Sequence, residues 1–325
     1  MKILVFGAGA IGSVMGGFLK KAGDEVVLYG RPWHLDKVHS DGLRITGLFG
    51  EHHIPSIPVY TDLSRLASEN ISFDLILFGV RAYDTESALR QMLPLLKEKT
   101  SVLMIQNGVG SLEIAEPMIG RGRILAGRVI FGSRVIEPGL VKVTVIADDV
   151  VIGFPFPKEV SRISDEEIKR IAARLSAAGI PTRVSENIHA VLWAKVAYNA
   201  ALNAMSSMLE APYGVLMETE ETKALMCQIV FETYAVASKK GIRMDPPTPE
   251  AYYQLLLSDL IPKTAAHKSS MLQSILKGGR TEIDFLNGAI ARFGRELGVP
   301  TPINDVLTAL IKSKERMMAK QKGPV

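Results

Sequence analysis

The first 22 residues constrain the fold most strongly. The apolar run "KILVF" predicts a short strand buried on both faces, and "GAGAIG" follows it directly, ahead of a helical stretch that ends near Ala22. In such a unit the first glycine makes the tight turn, the second lets a pyrophosphate approach, and the third lets the helix pack on the strand. A turn that only connects strand to helix is the alternative. The predicted dinucleotide contacts are Gly7, Ala8, Gly9, Ala10, Ile11 and Gly12.

Strand and helix patterns alternate through the first half of the chain. The apolar runs "EVVLYG", "LILFGV" and "SVLMIQ" predict further strands, and the β-rich residues 124–153 predict antiparallel strands that close the sheet. From about Ile188 the periodicity is helical, and prolines mark the breaks. We therefore predict an α/β Rossmann-type N-terminal domain, residues 1–184, followed by an all-α C-terminal domain, residues 185–325.

The end of the second predicted strand distinguishes NAD from NADP. An NAD site usually has Asp or Glu there to hold the ribose 2′-hydroxyl, but "LYGRPWH" has Arg31 and no carboxylate. A guanidinium suits a 2′-phosphate, so NADP (NADPH) is the predicted cofactor, with an exposed loop arginine as the alternative. Ligands of open α/β sheets bind beyond the carboxyl ends of the strands, which places Arg81 and Asn107 near the cofactor. Asn107 and the glycine after it would serve equally well as a turn.

"KVAYNAALN" carries a polar stripe, formed by Lys195, Asn199 and Asn203, on an otherwise apolar helix. Residues four apart lie on one helix face, and a helix this apolar is typical of a buried one, where each polar group needs a partner. A cleft between two domains is the usual place for a substrate and would supply that partner. A second polar constellation lies in "HKSSMLQSILKGGRTEIDFLNG", where helix N-caps and solvated side chains are alternative interpretations. Its polar candidates are Ser269, Ser270, Glu282 and Asp284.

Composition excludes several classes of function. The net charge of +4 is dispersed, with no basic run among aromatics, so nucleic acid is not an expected partner. Six dispersed histidines form no metal-ligand pattern, and the single Cys227 suits a reducing compartment. No apolar run reaches the ~18 residues of a membrane span. We expect a cytoplasmic protein without metal or membrane partner, whose apolar helical half forms either a core or a homodimer interface.

Taken in order over nearly the whole chain, the motifs resemble the ketopantoate reductase (2-dehydropantoate 2-reductase) family. They are "GAGAIG", "QNG" at 106–108, "WAKVAYNAALN", "PYGVL" at 212–216, and "SSMLQS…GRTEIDFLNG" at 269–288. The helix motif and the last segment are specific, whereas many oxidoreductases share the glycine motif. The resemblance implies NADPH-dependent reduction of ketopantoate to (R)-pantoate, a step of pantothenate and coenzyme A biosynthesis.

The resemblance also implies roles for individual residues. Lys195 matches the catalytic lysine that protonates the carbonyl oxygen, and Glu282 matches the glutamate that engages the substrate hydroxyl and orders the lysine. The implied substrate-binding residues are Asn107, Asn199, Asn203 and Ser270. The implied cofactor-binding residues, besides the glycine turn, are Arg31, Arg81, Asn107 and Glu282.

Two departures from the family pattern concern substrate identity. Arg81 stands where the family often has lysine, which keeps the charge but changes its geometry. Ser274 stands where an aspartate is usual, which removes a carboxylate. A reductase of another branched 2-oxo acid therefore remains an alternative. The segment from Ser270 to Glu282 argues against a 3-hydroxy acid dehydrogenase, and retention of Lys195 and Glu282 argues against a non-catalytic NADPH-binding sensor.

Overall fold

The structure, a computed structural model, describes residues 1–322, with side chains to residue 320. The chain divides into two compact units, the first of which consists of Met1–Asn107 and Ser111–Ile188. The second consists of Gly108–Gly110 and the chain from His189 onward. The domain limits at 184 and 185 stay a prediction, which did not separate the short segment Gly108–Gly110 from the first half.

All strands belong to the first unit of the described chain. The larger sheet has the order β12-β11-β8-β7-β6-β1-β2-β5, and the smaller one has the order β4-β3-β10-β9. In chain order the strands are β1 (Lys2–Phe6), β2 (Glu25–Tyr29), β3 (Leu43–Gly47), β4 (His52–Ile54), β5 (Val59–Tyr60), β6 (Leu75–Phe78), β7 (Ser101–Met104), β8 (Ile124–Arg128), β9 (Phe131–Glu137), β10 (Leu140–Ile146), β11 (Val150–Gly153) and β12 (Thr182–Ser185).

Helices connect these strands and form the second unit, where the described residues contain no strand. In chain order they are α1 (Ala10–Lys21), α2 (Pro32–Asp41), α3 (Leu63–Ser68), α4 (Thr85–Met92), α5 (Ser111–Ile119), α6 (Asp165–Ala177), α7 (Ile188–Leu209), α8 (Glu220–Lys239), α9 (Pro249–Leu255), α10 (Ser270–Leu276), α11 (Asn287–Leu297) and α12 (Pro302–Lys322). The predicted fold class, a Rossmann-type α/β domain followed by an all-α domain, is confirmed. No helix in the described range is both long and apolar enough to cross a bilayer.

The topology of the larger sheet creates a switch point at β1. Every neighbouring pair is parallel except β8 with β11. From β1 the chain runs outward to β2 and β5, and it then returns to β6 on the other side of β1. Ligands of open α/β sheets bind at such a reversal, beyond the carboxyl ends of the strands.

The prediction for residues 124–153 was partly wrong. β8 and β11 do pair antiparallel in the larger sheet. β9 and β10, however, form a hairpin that belongs to the smaller sheet, where β3 pairs parallel with β10. Val141 and Val143 of β10 are fully buried in the core that also contains α1. The hairpin therefore forms a second layer over α1 rather than an extension of the larger sheet.

Two adjacent glycines let α1 lie between the two sheets. A Cβ on Gly16 would stand 2.7 Å from Leu28 of β2, in the larger sheet. A Cβ on Gly17 would stand 2.8 Å from Ile45 of β3, in the smaller sheet. Because real Cβ contacts are wider than this, a side chain at either position would force these buried neighbours to shift.

The helix α7 is buried around most of its circumference. Trp193 is 2% exposed, and its ring lies 6.0 Å from that of Phe293 on α11. Ala197, Ala200 and Ala204 are fully buried. The apolar composition of this helix did predict a buried element.

Gly16→Val should lower the free energy of unfolding by about 1–3 kcal/mol, because the new side chain overpacks against Leu28 and Val5. Denaturant titration of the purified variant measures the change. Ala173→Val adds similar bulk on the exposed face of α6 and serves as the control. Equal losses in the two variants would contradict the close contact of α1 with the larger sheet.

Candidate active site

The glycine turn after β1 combines two packed glycines with one open position. Gly7 has φ +101°, and a Cβ there would stand 2.6 Å from the Val80 amide nitrogen. A Cβ on Gly12 would stand 2.6 Å from the Gly7 carbonyl oxygen. A Cβ on Gly9, the N-cap of α1, would meet nothing within 4 Å. The protein's own packing requires Gly7 and Gly12, whereas the space at Gly9 fits a pyrophosphate at the N-terminus of α1.

A buried histidine positions this turn. The Gly139 N–H donates to Nδ1 of His34 at 3.1 Å, so the neutral ring carries its proton on Nε2. Nε2 then donates to the Ser13 hydroxyl at 3.0 Å, and that hydroxyl donates to the Ala8 carbonyl at 3.3 Å. Burial lowers the pKa of His34, which favours the neutral ring. Sequence reasoning missed His34 and Ser13, since no local pattern joins them.

Arg31 occupies the N-cap position of α2, two residues after the end of β2. Its side chain is 73% exposed, and its guanidinium lies 3.8 Å from the Asp84 carboxylate, in the 3₁₀ turn Ala82–Asp84 after β6. An exposed ion pair of this length contributes little stability. A phosphate could therefore replace Asp84 as the partner of Arg31. Arg81, the residue before the 3₁₀ turn, is also exposed.

Gln106 connects the carboxyl ends of β6 and β7. Its side-chain amide donates to the Thr85 hydroxyl at 2.7 Å and to the Val80 carbonyl at 3.3 Å. The Thr85 hydroxyl in turn donates to the Ala82 carbonyl at 2.6 Å. These bonds position the backbone that leads into Asn107. The "QNG" motif contained Gln106, but the sequence did not show that it contacts the segment that follows β6.

The three residues after Asn107 pack on the turn that follows Glu282. Gly108 has φ +90°, and a Cβ there would stand 2.2 Å from the Phe285 carbonyl oxygen. The Val109 N–H donates to the same carbonyl at 2.9 Å. Glycine is therefore required at 108 both by the turn and by packing within the second unit. Glu282 itself is half-buried and immediately precedes the 3₁₀ turn Ile283–Phe285.

The polar stripe of α7 is largely buried. Asn199 and Asn203 are 8% and 3% exposed, and Lys195 is half-buried. Oδ1 of Asn203 accepts the Tyr213 hydroxyl at 2.6 Å. The pattern did predict the helix and its apolar surroundings, but it did not reveal Tyr213 as the partner of Asn203.

A hydrogen-bond chain, Glu232–Asn304–Asn287, positions α7. The side-chain amide of Asn287 donates to the Ala200 carbonyl of α7 and to Oδ1 of Asn304, both at 3.0 Å. The Asn304 amide donates to the Glu232 carboxylate at 2.6 Å. That carboxylate also accepts the backbone N–H of Ile303 at 2.9 Å, at the N-terminus of α12. The chain therefore joins α8, α11 and α12 to α7, and none of its members was singled out from sequence.

The helix α12 donates to the backbone of α7 and accepts from the backbone just before Glu282. Lys314 donates to the Ser207 carbonyl at 2.7 Å, near the C-terminus of α7, where a cation is favoured. Glu315 accepts the Thr281 N–H at 2.6 Å. The helix α12 therefore contacts both the end of α7 and the residue before Glu282.

The Ser-Ser segment divides into a capping residue and a surface residue. Ser269 is fully buried and accepts the Leu272 N–H at 3.0 Å as the N-cap of α10. Ser270 is the first residue of α10 and is exposed. Asp284 pairs with Lys312 at 2.5 Å. The N-cap alternative therefore applies to Ser269, and Ser270 stays a predicted substrate contact.

The sequence matches the family described as "Ketopantoate reductase PanE/ApbA" over residues 3–155. Residues 187–315 match "Ketopantoate reductase PanE/ApbA C terminal". A protein of Aquifex aeolicus named 2-dehydropantoate 2-reductase is 38% identical over 317 residues, which cover 97% of each chain. A protein of the same name from Pyrococcus abyssi is 33% identical over 321 residues, 99% of this chain and 100% of that one.

Two solved structures extend the comparison to the fold. A PanE/ApbA family ketopantoate reductase from Ralstonia eutropha is 32% identical, with a TM-score of 0.86 over 98% of this chain and 99% of that one. A D-mandelate dehydrogenase solved with NADH and anilino(oxo)acetate is 30% identical, with a TM-score of 0.87 and the same coverage.

Asn287→Ala should lower the free energy of unfolding by about 1–3 kcal/mol, because it leaves the buried Oδ1 of Asn304 and the Ala200 carbonyl without their donor. Denaturant titration measures the loss. Gln254→Ala removes an exposed amide from α9 in the same unit and serves as the control. A loss no larger than that of the control would contradict the role of this chain in stabilising the unit.

Proposed function

The chain belongs to the ketopantoate reductase family, and from this membership we propose that it reduces 2-dehydropantoate (ketopantoate) to (R)-pantoate with NADPH. The observation that carries the proposal is the polar stripe of Lys195, Asn199 and Asn203 on the buried helix α7. A lysine and two amides on one buried face suit a small, charged, oxygen-rich substrate. The product would enter pantothenate and coenzyme A biosynthesis.

The first unit contains the residues that would hold NADPH, which supplies a hydride when bound. The open position at Gly9 and the N-terminus of α1 suit the pyrophosphate. Arg31 suits the 2′-phosphate, since β2 ends without the carboxylate that favours NAD. Arg81 and Asn107 complete the proposed cofactor set in this unit, and Glu282 is the proposed member from the second.

Lys195 is proposed to act as the general acid. Reduction of a 2-oxo group leaves negative charge on the carbonyl oxygen, which an ammonium can both stabilise and protonate. Asn199, Asn203, Asn107 and Ser270 would bind the substrate through neutral groups that do not titrate. Glu282 would engage the substrate hydroxyl and order the lysine.

Two further expectations accompany this proposal. We place the reaction in the cytoplasm, because the single Cys227 suits a reducing compartment. For the apolar helical half, a homodimer interface and a core within the chain stay the two alternatives. Neither nucleic acid nor a membrane is an expected partner.

A second candidate is a reductase of another branched 2-oxo acid. The D-mandelate dehydrogenase was solved with NADH and anilino(oxo)acetate, at 30% identity to this chain. Arg81 changes the geometry of a positive charge and Ser274 removes a carboxylate relative to the usual pattern, so the identity of the 2-oxo acid stays open between the two candidates. The chemistry assigned to Lys195 is the same in both cases.

Turnover of a 2-oxo acid panel with NADPH and with NADH distinguishes these candidates. Ketopantoate, 2-oxoisovalerate and phenylglyoxylate are supplied to the purified protein, and cofactor oxidation is followed by absorbance. Preference for ketopantoate with NADPH supports the proposal, and preference for another acid supports the second candidate. A protein that binds NADPH and reduces none of them would be a sensor.

Arg31→Ala should weaken NADPH binding by roughly 10- to 100-fold and leave NADH binding nearly unchanged, because only NADPH carries the 2′-phosphate that a guanidinium contacts. Calorimetric titration with each cofactor measures both constants. Arg170→Ala, at an exposed position on α6, is the control. Equal losses for the two cofactors would exclude Arg31 from 2′-phosphate recognition.

Lys195→Ala should lower kcat by about 10²–10⁴-fold with little change in NADPH affinity, because it removes the proton donor but no cofactor contact. Steady-state kinetics and cofactor titration measure the two effects. Lys239→Ala removes an exposed lysine of the same unit as the control. Near-normal turnover in Lys195→Ala would remove this residue from the mechanism.

A further inference from the structure

We propose that Tyr213 is a positioning residue that fixes the orientation of the Asn203 amide, so that Asn203 acts on the substrate only as a hydrogen-bond donor. The inference rests on the proposed function, since it concerns how the polar stripe recognises a 2-oxo acid. It assigns a role to a residue of the "PYGVL" segment that lies outside the proposed catalytic and binding set.

The geometry defines which end of the amide faces Tyr213. The Tyr213 oxygen lies 2.6 Å from Oδ1 of Asn203, and each residue is 3% exposed. This distance suits an O–H···O bond and is short for an N–H···O bond. A buried phenol also needs an acceptor for its proton, and Oδ1 supplies it. Nδ2 is therefore the end of the amide that remains for a ligand.

Burial keeps Tyr213 a donor. The pKa of its phenol is raised far above its ordinary value by burial and, to a smaller extent, by the nearby Tyr198. The hydroxyl therefore keeps its proton at neutral pH and well into the alkaline range. The polarity of the bond to Asn203 does not change with pH in that range.

The surroundings of Tyr213 hold the phenol in place. Its backbone N–H donates to the His267 carbonyl at 3.1 Å, and the two rings lie 5.3 Å apart. Tyr198 of α7 packs its edge against Tyr213 at 5.9 Å, and its hydroxyl bonds to that of Thr264 at 2.7 Å. The pKa of His267 is lowered by burial, which favours a neutral ring. Tyr213 is thus held by α7 on one side and by residues 264–267 on the other.

A fixed amide selects the kind of atom it can bind. An unconstrained asparagine rotates to present either an acceptor oxygen or a donor nitrogen. With Oδ1 occupied, Asn203 offers N–H groups, which match the carboxylate, carbonyl and hydroxyl oxygens of a 2-oxo acid. Tyr213 therefore contributes to specificity through Asn203 and without contact to the substrate.

The test is the loss of the Tyr213 hydroxyl alone. Tyr213→Phe should raise KM for the 2-oxo acid about tenfold, the effect of one neutral hydrogen bond, while kcat stays within about twofold. NADPH affinity should stay unchanged. Tyr234→Phe removes another buried hydroxyl, which donates to the Pro246 carbonyl at 2.9 Å, and should leave KM unchanged. An unchanged KM in Tyr213→Phe overturns the inference.

A double-mutant cycle separates positioning from general destabilisation. In an Asn203→Ala background, Tyr213→Phe should cause no further change in KM, because its effect passes through Asn203. Additive effects of the two substitutions would overturn the inference, and Asn203→Ser replaces Asn203→Ala if the latter does not fold. A wild-type protein that reduces no 2-oxo acid refutes the proposed function instead. In that case the wild type, the two single variants and the double variant are compared by the dissociation constant of oxamate for the NADPH complex. Additive effects of the two substitutions on that constant again overturn the inference.

Discussion

A buried helix that carries polar side chains must supply each of them with a partner, and the second unit is organised around that requirement. α7 is fully buried along its alanine face, yet it contains Lys195, Asn199 and Asn203. Desolvating an amide without a hydrogen bond costs on the order of 1–3 kcal/mol, so such a stripe persists only with a bound ligand or with protein partners. Tyr213 supplies one of these partners, and the proposed substrate would supply others.

The position of α7 itself depends on polar contacts to its backbone. The Asn287 amide reaches the Ala200 carbonyl in the middle of the helix, and Lys314 reaches the Ser207 carbonyl near its end. Both donors come from helices that pack beside α7, and the Asn287 amide is itself held through Asn304. Such a network favours one arrangement, because moving a helix would break several of its buried hydrogen bonds at once, although Oδ1 of Asn287 itself is buried without a partner. A site that must hold a lysine and two amides in register benefits from this rigidity.

Local patterns in the sequence predicted the elements but not their partners. Periodicity was sufficient to predict the polar stripe, and turn chemistry was sufficient to predict the strand–glycine–helix unit, because each feature lies within one short segment. Asn304 and Glu232 are 72 residues apart, and Asn287 is 87 residues from Ala200, so no local rule could pair them. The prediction that β9 and β10 extend the larger sheet was wrong for the same reason, since the pattern of a strand does not show which sheet it joins. The roles assigned to Lys195 and Glu282 remain predictions.

The glycine-rich segment Gly108–Gly110 has a consequence for how this chain can be divided. It belongs to the second unit although the residues on both sides of it belong to the first. Cutting the chain after Ile188 would leave the second unit without the backbone that contacts Phe285. A single genetic crossover therefore cannot exchange one intact unit for another. The second unit thus takes part of its structure from the stretch of sequence that otherwise forms the first, and the dependence runs in that one direction.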